Sequence, residues 1–154
     1  MNRHLPNWRS LLYVPASEER FVAKAHERGA DAIILDLEDG VAPDSKARAR
    51  AGLAAAAASA RQNGADIVVR INRPLRMAAE DITAAAAAGA DGVICTKMMG
   101  ADHVRLLSEL AAESELAAGR EIGSLRFIVL IEDAAALRQA DAIAGADPRI
   151  VALG

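Results

Sequence analysis

Short apolar runs alternate along the chain with longer stretches that are rich in alanine. The apolar runs cover residues 10–14, 33–35, 67–72, 92–97, 125–131 and 150–154. Each run has the length of a strand, and the one at 33–35 is apolar enough to be buried on both faces. The stretches between them, near 17–28, 44–62, 78–88, 102–118 and 133–144, are typical of helices. The pattern predicts six strands alternating with five helices.

A Gly-Ala-Asp triplet precedes four of the six predicted strands, at residues 29–31, 64–66, 89–91 and 145–147. Glycine at these points is predicted to take the left-handed conformation that ends a helix. Strands that alternate with helices form parallel sheets, either an open doubly wound sheet or a (β/α)8 barrel. A complete barrel takes ~250 residues, so as a barrel the chain is incomplete. Nothing marks an internal boundary, and we treat residues 1–154 as one domain.

Composition narrows the classes of protein to consider. The 154 residues carry a formal net charge of −3, whereas proteins that bind nucleic acid usually carry a positively charged patch. No apolar run approaches the ~20 residues that span a bilayer. Residues 1–7 lack the apolar stretch of a signal peptide. The single cysteine, Cys95, excludes an internal disulfide and more simply fills the apolar core. A cytoplasmic protein without membrane or nucleic-acid partners is expected.

Polar side chains follow five of the predicted strands, at the end where ligands bind in parallel α/β folds. They are Tyr13; Asp36, Glu38 and Asp39; Arg70, Asn72 and Arg73; Lys97; and Glu132 and Asp133. Carboxylates hold Mg²⁺, which prefers oxygen ligands, and an arginine can clamp a carboxylate or phosphate in a bidentate fork. The strand ends therefore predict a site where an anionic small molecule is bridged to a metal.

Each of these residues also has a purely structural interpretation. Glu132 could simply begin the next helix rather than bind a metal. Arg70 could form an internal ion pair with Asp36 or Glu38 instead of contacting a substrate. A solvated strand end would explain Lys97.

The first helix adds a further pair of candidates, Arg20 and Lys24. They lie four residues apart and could grip phosphates. A solvated helix face is the simpler explanation for two such cations.

In combination, the strand ends resemble those of the citrate lyase β-subunit-like family of the HpcH/HpaI aldolase superfamily. The matching segments are RSLLYVP (9–15), LDLEDGV (35–41) with Lys46 and Arg48 or Arg50 downstream, VRIN (69–72), GVICTK (92–97), IE (131–132) and PRI (148–150). Their order and spacing agree over nearly the whole chain. The pair LDLEDGV and VRIN is the most specific part of the resemblance.

The resemblance implies a (β/α)8 barrel of the TIM type, usually within a homotrimer. It implies Mg²⁺-dependent carbon–carbon lyase activity on CoA-type thioesters of hydroxy acids, of the citryl-, malyl- or citramalyl-CoA class. Glu132 is then a metal ligand and Arg70 the residue that binds the substrate carboxylate. Tyr13, Arg20 and Lys24 correspond to positions that contact the acyl-CoA. The remaining residues of the strand ends form a supporting shell: Asp36, Glu38, Asp39 and Lys97.

One departure from the family pattern bears on activity. A Gly-x-Glu-Asp-Phe segment after the sixth strand supplies the second metal carboxylate in the family, and it would lie beyond Gly154, as would the last two strands. We therefore expect these 154 residues alone to be inactive, or stable only when associated. Three alternatives stay open: a small hydroxy-keto-acid aldolase, a thioesterase, and a non-catalytic carboxylate-binding or complex-forming subunit. The sequence also does not distinguish CoA from an acyl-carrier-protein thioester.

Overall fold

The structure, a computed structural model, describes residues 5–154; residues 1–4 of the N-terminal lead-in lie outside the described part. Its strands are β1 (Leu11–Pro15), β2 (Ala32–Asp36), β3 (Asp66–Ile71), β4 (Gly92–Cys95), β5 (Arg126–Val129) and β6 (Ile150–Leu153). Its helices are α1 (Glu19–Ala25), α2 (Lys46–Ala51), α3 (Leu53–Ala60), α4 (Leu75–Ala87), α5 (Ala101–Ala117), α6 (Ala134–Leu137) and α7 (Ala140–Ala144). Single 3₁₀ turns follow α1 and precede α2.

The six strands form one parallel sheet in the order β1-β2-β3-β4-β5-β6. A doubly wound sheet would reverse its strand order at a switch point, whereas a barrel adds each new strand beside the previous one. The strictly sequential order therefore confirms an α/β chain of the (β/α)8 type. In residues 5–154 the sheet is not closed, and β1 and β6 are its two edges. The predicted incomplete barrel is thus confirmed.

Successive side chains of each strand point to opposite faces of the sheet. One face packs under the helices and builds the larger core, with Ile33, Leu35 and Phe127 almost fully buried. The opposite face carries a smaller cluster of Ala32, Ile34, Val68, Ile94 and Ile128. On that smaller face, the next side chain after Ile34 is Asp36, after Val68 it is Arg70, and after Leu130 it is Glu132. These three polar side chains lie at the ends of their strands.

Trp8 closes the smaller cluster at the start of the strands. Its ring packs against that cluster, and its Nε1–H donates to Asp66 Oδ2 at 2.6 Å. A Cβ on Gly92 would lie 3.2 Å from the Trp8 ring and 2.8 Å from the Arg126 carbonyl oxygen, so only glycine fits there. Trp8 therefore acts as an apolar plug with one satisfied polar atom.

The helices differ from the prediction in number. The helix predicted over 44–62 is interrupted at Gly52, which lies between α2 and α3 and has poor helix propensity. The helix predicted over 133–144 is interrupted at Arg138 and Gln139, between α6 and α7. Asp133 caps α6, since its carboxylate accepts hydrogen bonds from the amides of the second and third helical residues. Five predicted helices therefore appear as seven within residues 5–154.

The glycines of the repeated triplet follow the prediction at three of four sites. Gly29, Gly64 and Gly89 have φ values of 69°, 81° and 69°. At Gly145 the prediction is wrong, because its φ is −86°. Its amide donates to the Asp141 carbonyl oxygen at 3.0 Å, so the helical hydrogen-bond pattern continues through it.

A buried ion pair joins the end of α5 to the segment before β6. Arg149 donates from Nη1 and Nη2 to the two carboxylate oxygens of Glu115, both at 2.8 Å. Both side chains are almost fully buried. Glu115 also accepts from the amides of Gly123 and Leu125, at 2.7 and 2.6 Å. These bonds tie α5 to the segments that lead into β5 and into the edge strand β6.

Two smaller points complete the fold. Among residues 5–154 there is no helix with the length and apolar character needed to cross a membrane. Cys95 is buried, and burial raises the pKa of its thiol to about 12, so it stays protonated and serves as core filler.

Candidate functional site

The loop that follows β2 is built around the carboxylate of Asp36. Asp36 is the last residue of β2 and is buried. Its Oδ1 accepts from the Glu38 amide and its Oδ2 from the Gly40 amide, both at 2.8 Å. The chain at Gly40 passes so close that an added Cβ would lie 2.2 Å from Asp36 Oδ2. The glycine of the LDLEDGV segment is therefore required for this close approach.

Arg70 is held on the next strand by the same carboxylate. Its Nε and Nη2 donate to Asp36 Oδ1 and Oδ2 at 2.8 and 2.6 Å, and its Nη1 lies 3.3 Å from Glu38 Oε2. The guanidinium carbon lies 4.9 Å from the centroid of the Tyr13 ring. The internal ion pair that the sequence left open is thus present. With 18% of its side chain exposed, Arg70 still reaches the surface of the site.

Asp36 and Arg70 shift each other's pKa. Burial alone would raise the pKa of Asp36, but the hydrogen bonds from Arg70, Glu38 and Gly40 outweigh it, and the pKa lies below its usual value. For Arg70, the Asp36 hydrogen bonds raise the pKa further above its ordinary value. For Tyr13, burial raises the pKa of the phenol. The pair is therefore fully charged, and Tyr13 is neutral, at neutral pH.

Lys97 connects the acidic loop to Glu132. Its φ of 50° is the only positive value at a non-glycine residue among residues 5–154. Its amide donates to Glu132 Oε2, and its Nζ donates to Glu38 Oε1 at 2.6 Å and to Asp39 Oδ2 at 3.2 Å. The hydrogen bonds to Glu38 and Asp39 raise the pKa of the Lys97 ammonium. Lys97 is exposed, as the solvated strand end suggested from the sequence would be, but it also pairs with two carboxylates.

Lys46 holds the loop after β2 through hydrogen bonds to its backbone. In the sequence, this residue stood out only as part of the family resemblance. Its Nζ donates to the carbonyl oxygens of Leu37 and Glu38 and to Asn72 Oδ1 at 2.7 Å. Asn72 in turn donates from Nδ2 to the Leu37 carbonyl oxygen at 2.8 Å. The ends of β2 and β3 are thereby fixed to each other.

Asp81, on α4, is a buried residue that the sequence analysis missed. Its Oδ2 accepts from the Asn72 amide and from Asn72 Nδ2, at 2.8 and 2.7 Å, and its Oδ1 accepts from Arg50 Nε at 2.6 Å. A signal was present in the sequence. Asp81 shares the buried face of α4 with Ala78 and Ala85, and an acid on an apolar helix face needs partners.

Tyr13, Arg20 and Lys24 line one cavity of about 580 Å³ between β1 and α1, together with Phe21. Arg20 stacks on Phe21, with its guanidinium carbon 4.5 Å from the ring centroid, and lies 3.8 Å from a Glu18 carboxylate oxygen. The structure thus brings the three predicted acyl-CoA contacts to one wall. Arg20 and Lys24 are nevertheless exposed on the surface of α1.

Glu132 follows β5 and is exposed. Among residues 5–154, its carboxylate accepts a hydrogen bond at Oε2, from the Lys97 amide, and none at Oε1. No group of three or more His, Cys, Asp or Glu side chains within residues 5–154 could by itself hold a metal ion. Mg²⁺ is commonly held by one or two carboxylates together with water and substrate oxygens. The single carboxylate of Glu132 fits such a partial site, in which water and substrate would supply the other oxygens.

Seven of the nine predicted site residues form one connected group, in which each contacts at least one other member through a hydrogen bond, an ion pair or a cation–ring contact. They are Tyr13, Asp36, Glu38, Asp39, Arg70, Lys97 and Glu132. Arg20 and Lys24 join this group only through the cavity wall that they share with Tyr13.

Replacing Gly40 with alanine should disrupt this group directly. The added Cβ would displace the Asp36 carboxylate, and overpacking of this kind costs about 1–3 kcal/mol. We expect lower stability in urea unfolding and weaker binding of carboxylate ligands. Gly52→Ala is the matched control, because its Cβ would meet ordinary contacts at 3.6 Å or more. Equal stability of the two variants would contradict the proposed role of Gly40.

Comparison with known proteins identifies the family of the chain. The family model of HpcH/HpaI aldolase/citrate lyase matches residues 9–154. The citrate lyase subunit beta of Haemophilus influenzae is 33% identical over 147 residues, which cover 94% of this chain and 50% of that protein. The (3S)-malyl-CoA thioesterase of Cereibacter sphaeroides is 36% identical over 110 residues, which cover 71% of this chain and 39% of that protein.

Solved structures give the same picture. Protein CitE of Mycobacterium tuberculosis, in complex with magnesium and acetoacetate, is 32% identical, with a TM-score of 0.68. The match covers 99% of this chain and 55% of CitE. Haloferax volcanii malate synthase, at 17% identity and a TM-score of 0.79, shares the fold. The chain spans about half the length of the curated relatives it matches. The sequential parallel sheet, the strand-end group and these matches show that the chain belongs to the HpcH/HpaI aldolase/citrate lyase family.

Proposed function

We propose that this chain forms the substrate- and metal-binding half of a Mg²⁺-dependent carbon–carbon lyase. Its substrate would be a CoA-type thioester of a hydroxy acid, of the citryl-, malyl- or citramalyl-CoA class. The observation that carries the proposal is the Asp36–Arg70–Tyr13 arrangement beside Glu132 at the strand ends. This arrangement supports the proposal because it combines a guanidinium held by a carboxylate with a second carboxylate, Glu132, that has no ion pair with arginine or lysine among residues 5–154.

Arg70 would bind and orient the substrate carboxylate. Asp36 holds its Nε and Nη2, so the guanidinium plane is fixed before a ligand arrives. Tyr13 covers one face of that plane and restricts rotation. A carboxylate held by such a preorganised donor loses less entropy on the way to the reactive geometry.

Glu132 would hold the Mg²⁺ together with substrate and water oxygens. The bound ion would polarise the oxygens around the scissile bond and stabilise developing negative charge. In the overall reaction the carbon–carbon bond breaks and the hydroxyl carbon becomes the ketone or aldehyde of the keto acid. The bonding electron pair passes to the thioester fragment, which is then protonated. The cavity lined by Tyr13, Arg20 and Lys24 would receive the thioester arm.

Calorimetric titration with oxaloacetate, with and without Mg²⁺, tests the binding half of this proposal without requiring turnover. We expect Mg²⁺ to tighten oxaloacetate binding and Glu132→Ala to remove that effect. Even partners that only support metal ligands are worth about tenfold or more in affinity, so loss of a ligand should cost at least that. Asp102→Ala is the matched control, since Asp102 is an exposed carboxylate on α5.

The opposite outcome has a clear meaning. Oxaloacetate binding that is indifferent both to Mg²⁺ and to Glu132→Ala would exclude the lyase site. It would support a non-catalytic carboxylate-binding or complex-forming subunit instead.

A thioesterase is the second candidate, favoured by the 36% identity to (3S)-malyl-CoA thioesterase over 110 residues. The products separate the two activities when malyl-CoA is offered to an active assembly that contains this chain. A lyase releases acetyl-CoA and glyoxylate, whereas a thioesterase releases malate and a free thiol. Chromatography of the CoA products together with a thiol reagent distinguishes these results.

We also propose that the protein works in the cytoplasm as a homo-oligomer, a trimer by family resemblance. Exposed apolar side chains outside the site support association: Leu11 on β1 and Leu153 on β6. They lie at or beside the two sheet edges, which are common sites of contact between chains. Either CoA or an acyl carrier protein could present the thioester.

A further inference from the structure

Lys97 is the one residue that contacts both acidic parts of the site within residues 5–154. Through its backbone it holds Glu132, and through its ammonium it holds Glu38 and Asp39. It does so from the left-handed region, at φ 50°, which non-glycine residues seldom adopt. That conformation turns the amide toward Glu132 while the side chain reaches back over the loop after β2.

The loop after β2 would otherwise compete with Glu132 for a divalent cation. Asp39 is 69% exposed, and Glu38 Oε2 is buried without a hydrogen-bond donor among residues 5–154. Glu38 Oε2 does lie 3.3 Å from Arg70 Nη1, so the Glu38 oxygen at issue is Oε1, which together with the exposed Asp39 carboxylate is the kind of ligand that a hard cation takes. The Lys97 ammonium occupies the position between them, 2.6 Å from Glu38 Oε1 and 3.2 Å from Asp39 Oδ2. A cation there excludes a second cation by charge and by volume.

Asp36 is prevented from binding a divalent cation by its own hydrogen bonds. Both of its oxygens accept hydrogen bonds from Arg70 and from loop amides. Of the four carboxylates at these strand ends, Asp36, Glu38 and Asp39 each pair with Arg70 or Lys97, whereas Glu132 has no ion pair within residues 5–154. The distribution of charge therefore selects one carboxylate.

We propose that Lys97 is a positioning residue that decides which carboxylate takes the divalent cation. Its ammonium keeps the cation off Glu38 and Asp39, and its amide orients Glu132 to receive it. This inference rests on the proposed function, because it assumes that Glu132 is the metal ligand. It adds a determinant of metal placement that lies outside the ligand set itself.

Counting bound Mn²⁺ by electron paramagnetic resonance tests this placement without any measurement of activity. Mn²⁺ is the probe because it accepts the same oxygen ligands as Mg²⁺. The chain, Glu132→Ala, Lys97→Met, and the double variant Glu132→Ala/Lys97→Met are titrated in parallel. Lys97→Met removes the ammonium but keeps the backbone amide and most of the side-chain volume. Lys97→Arg tests whether charge alone is sufficient, and Arg76→Met is the control for loss of an exposed cation.

We expect Glu132→Ala to weaken Mn²⁺ binding by about tenfold or more. The double variant should then bind Mn²⁺ at least about tenfold more tightly than Glu132→Ala, because Glu38 and Asp39 become available. Glu132→Ala/Lys97→Arg and Glu132→Ala/Arg76→Met should show no such recovery.

The two possible failures are separate. If Glu132→Ala weakens binding but the double variant shows no recovery, the inference about Lys97 is overturned and the proposed metal ligand stands. If Glu132→Ala leaves Mn²⁺ binding unchanged, the proposed metal ligand is wrong, and the inference about Lys97 falls with it.

Discussion

Replacing Glu115 with alanine is expected to lower the free energy of unfolding by about 3–5 kcal/mol, the range measured when one member of a buried ion pair is removed. The Arg149 guanidinium would lose its carboxylate partner, and with it two hydrogen bonds, while remaining buried. The Leu125 amide, at the entry to β5, would lose its acceptor as well. Urea unfolding followed by circular dichroism measures the difference.

Two further variants show whether the ion pair itself causes this loss. Glu113→Ala removes an exposed carboxylate from the same helix, and we expect a change within about 0.5 kcal/mol. Glu115→Leu/Arg149→Met replaces the pair with apolar side chains. This double variant should recover much of the stability, since a buried ion pair can be exchanged for apolar residues with little loss. A double variant less stable than Glu115→Ala would contradict this explanation.

The same pair gives the fold a dependence on pH with a definite sign. Burial would raise the pKa of Glu115, but the hydrogen bonds from Arg149 and the amides of Leu125 and Gly123 outweigh it, and the pKa is lowered. A carboxylate with a lowered pKa stabilises the fold above its ordinary value near 4.5. That contribution is lost as the pH falls through the lowered pKa. The difference between the wild type and Glu115→Ala should therefore shrink as the pH falls below about 4.5.

The architecture was predictable from the sequence because the alternation of strand and helix leaves few solutions. The Gly-Ala-Asp triplets and the apolar runs placed all six strands to within a few residues. The order of the strands was not predictable from periodicity, since two parallel architectures share it. The breaks at Gly52 and at Arg138–Gln139 were also missed, because alanine-rich stretches carry a strong helical signal on either side of them.

The residues of the candidate site were predictable from the sequence, but the contacts between them were not. The rule that ligands bind at the carboxyl ends of parallel strands was enough to collect Asp36, Arg70 and Lys97. Which carboxylate pairs with which cation depends on register and on side-chain rotamers. The pairing of Asp36 with Arg70 follows from their opposite positions on β2 and β3. The backbone conformation of Lys97 had no signal in the sequence.

Buried charges away from the strand ends were missed for a related reason. Asp81 and Glu115 lie in helices whose other residues are mostly alanine, leucine or charged. Their burial depends on the rotation of each helix against the sheet, and a shift of one residue would expose them. Only the helical spacing of Asp81 from Ala78 and of Glu115 from Ala111 carried the information.

Arg70→Lys is expected to weaken oxaloacetate binding in the presence of Mg²⁺ by about 100-fold. A lysine keeps the positive charge but presents a single ammonium, so it cannot bind Asp36 through two parallel bonds and still offer an N–H to a ligand. The contact with the Tyr13 face would also be lost. Hydrogen bonds between charged groups contribute about 1.5–3 kcal/mol each, and a loss of about 2.7 kcal/mol corresponds to 100-fold. Calorimetric titration measures the affinity.

A comparison of binding with stability separates the two roles of Arg70. If Arg70 serves only as the structural partner of Asp36, then Arg70→Lys should lower stability in urea while leaving the affinity for oxaloacetate within about threefold, since no ligand contact changes. If it binds the substrate carboxylate, affinity should fall far more than stability accounts for. Asp36→Asn provides the complementary case, because it keeps the guanidinium but loosens its hold, and affinity should then fall by less than in Arg70→Lys. Arg61→Lys, which alters an exposed ion pair with Asp91, should change neither quantity.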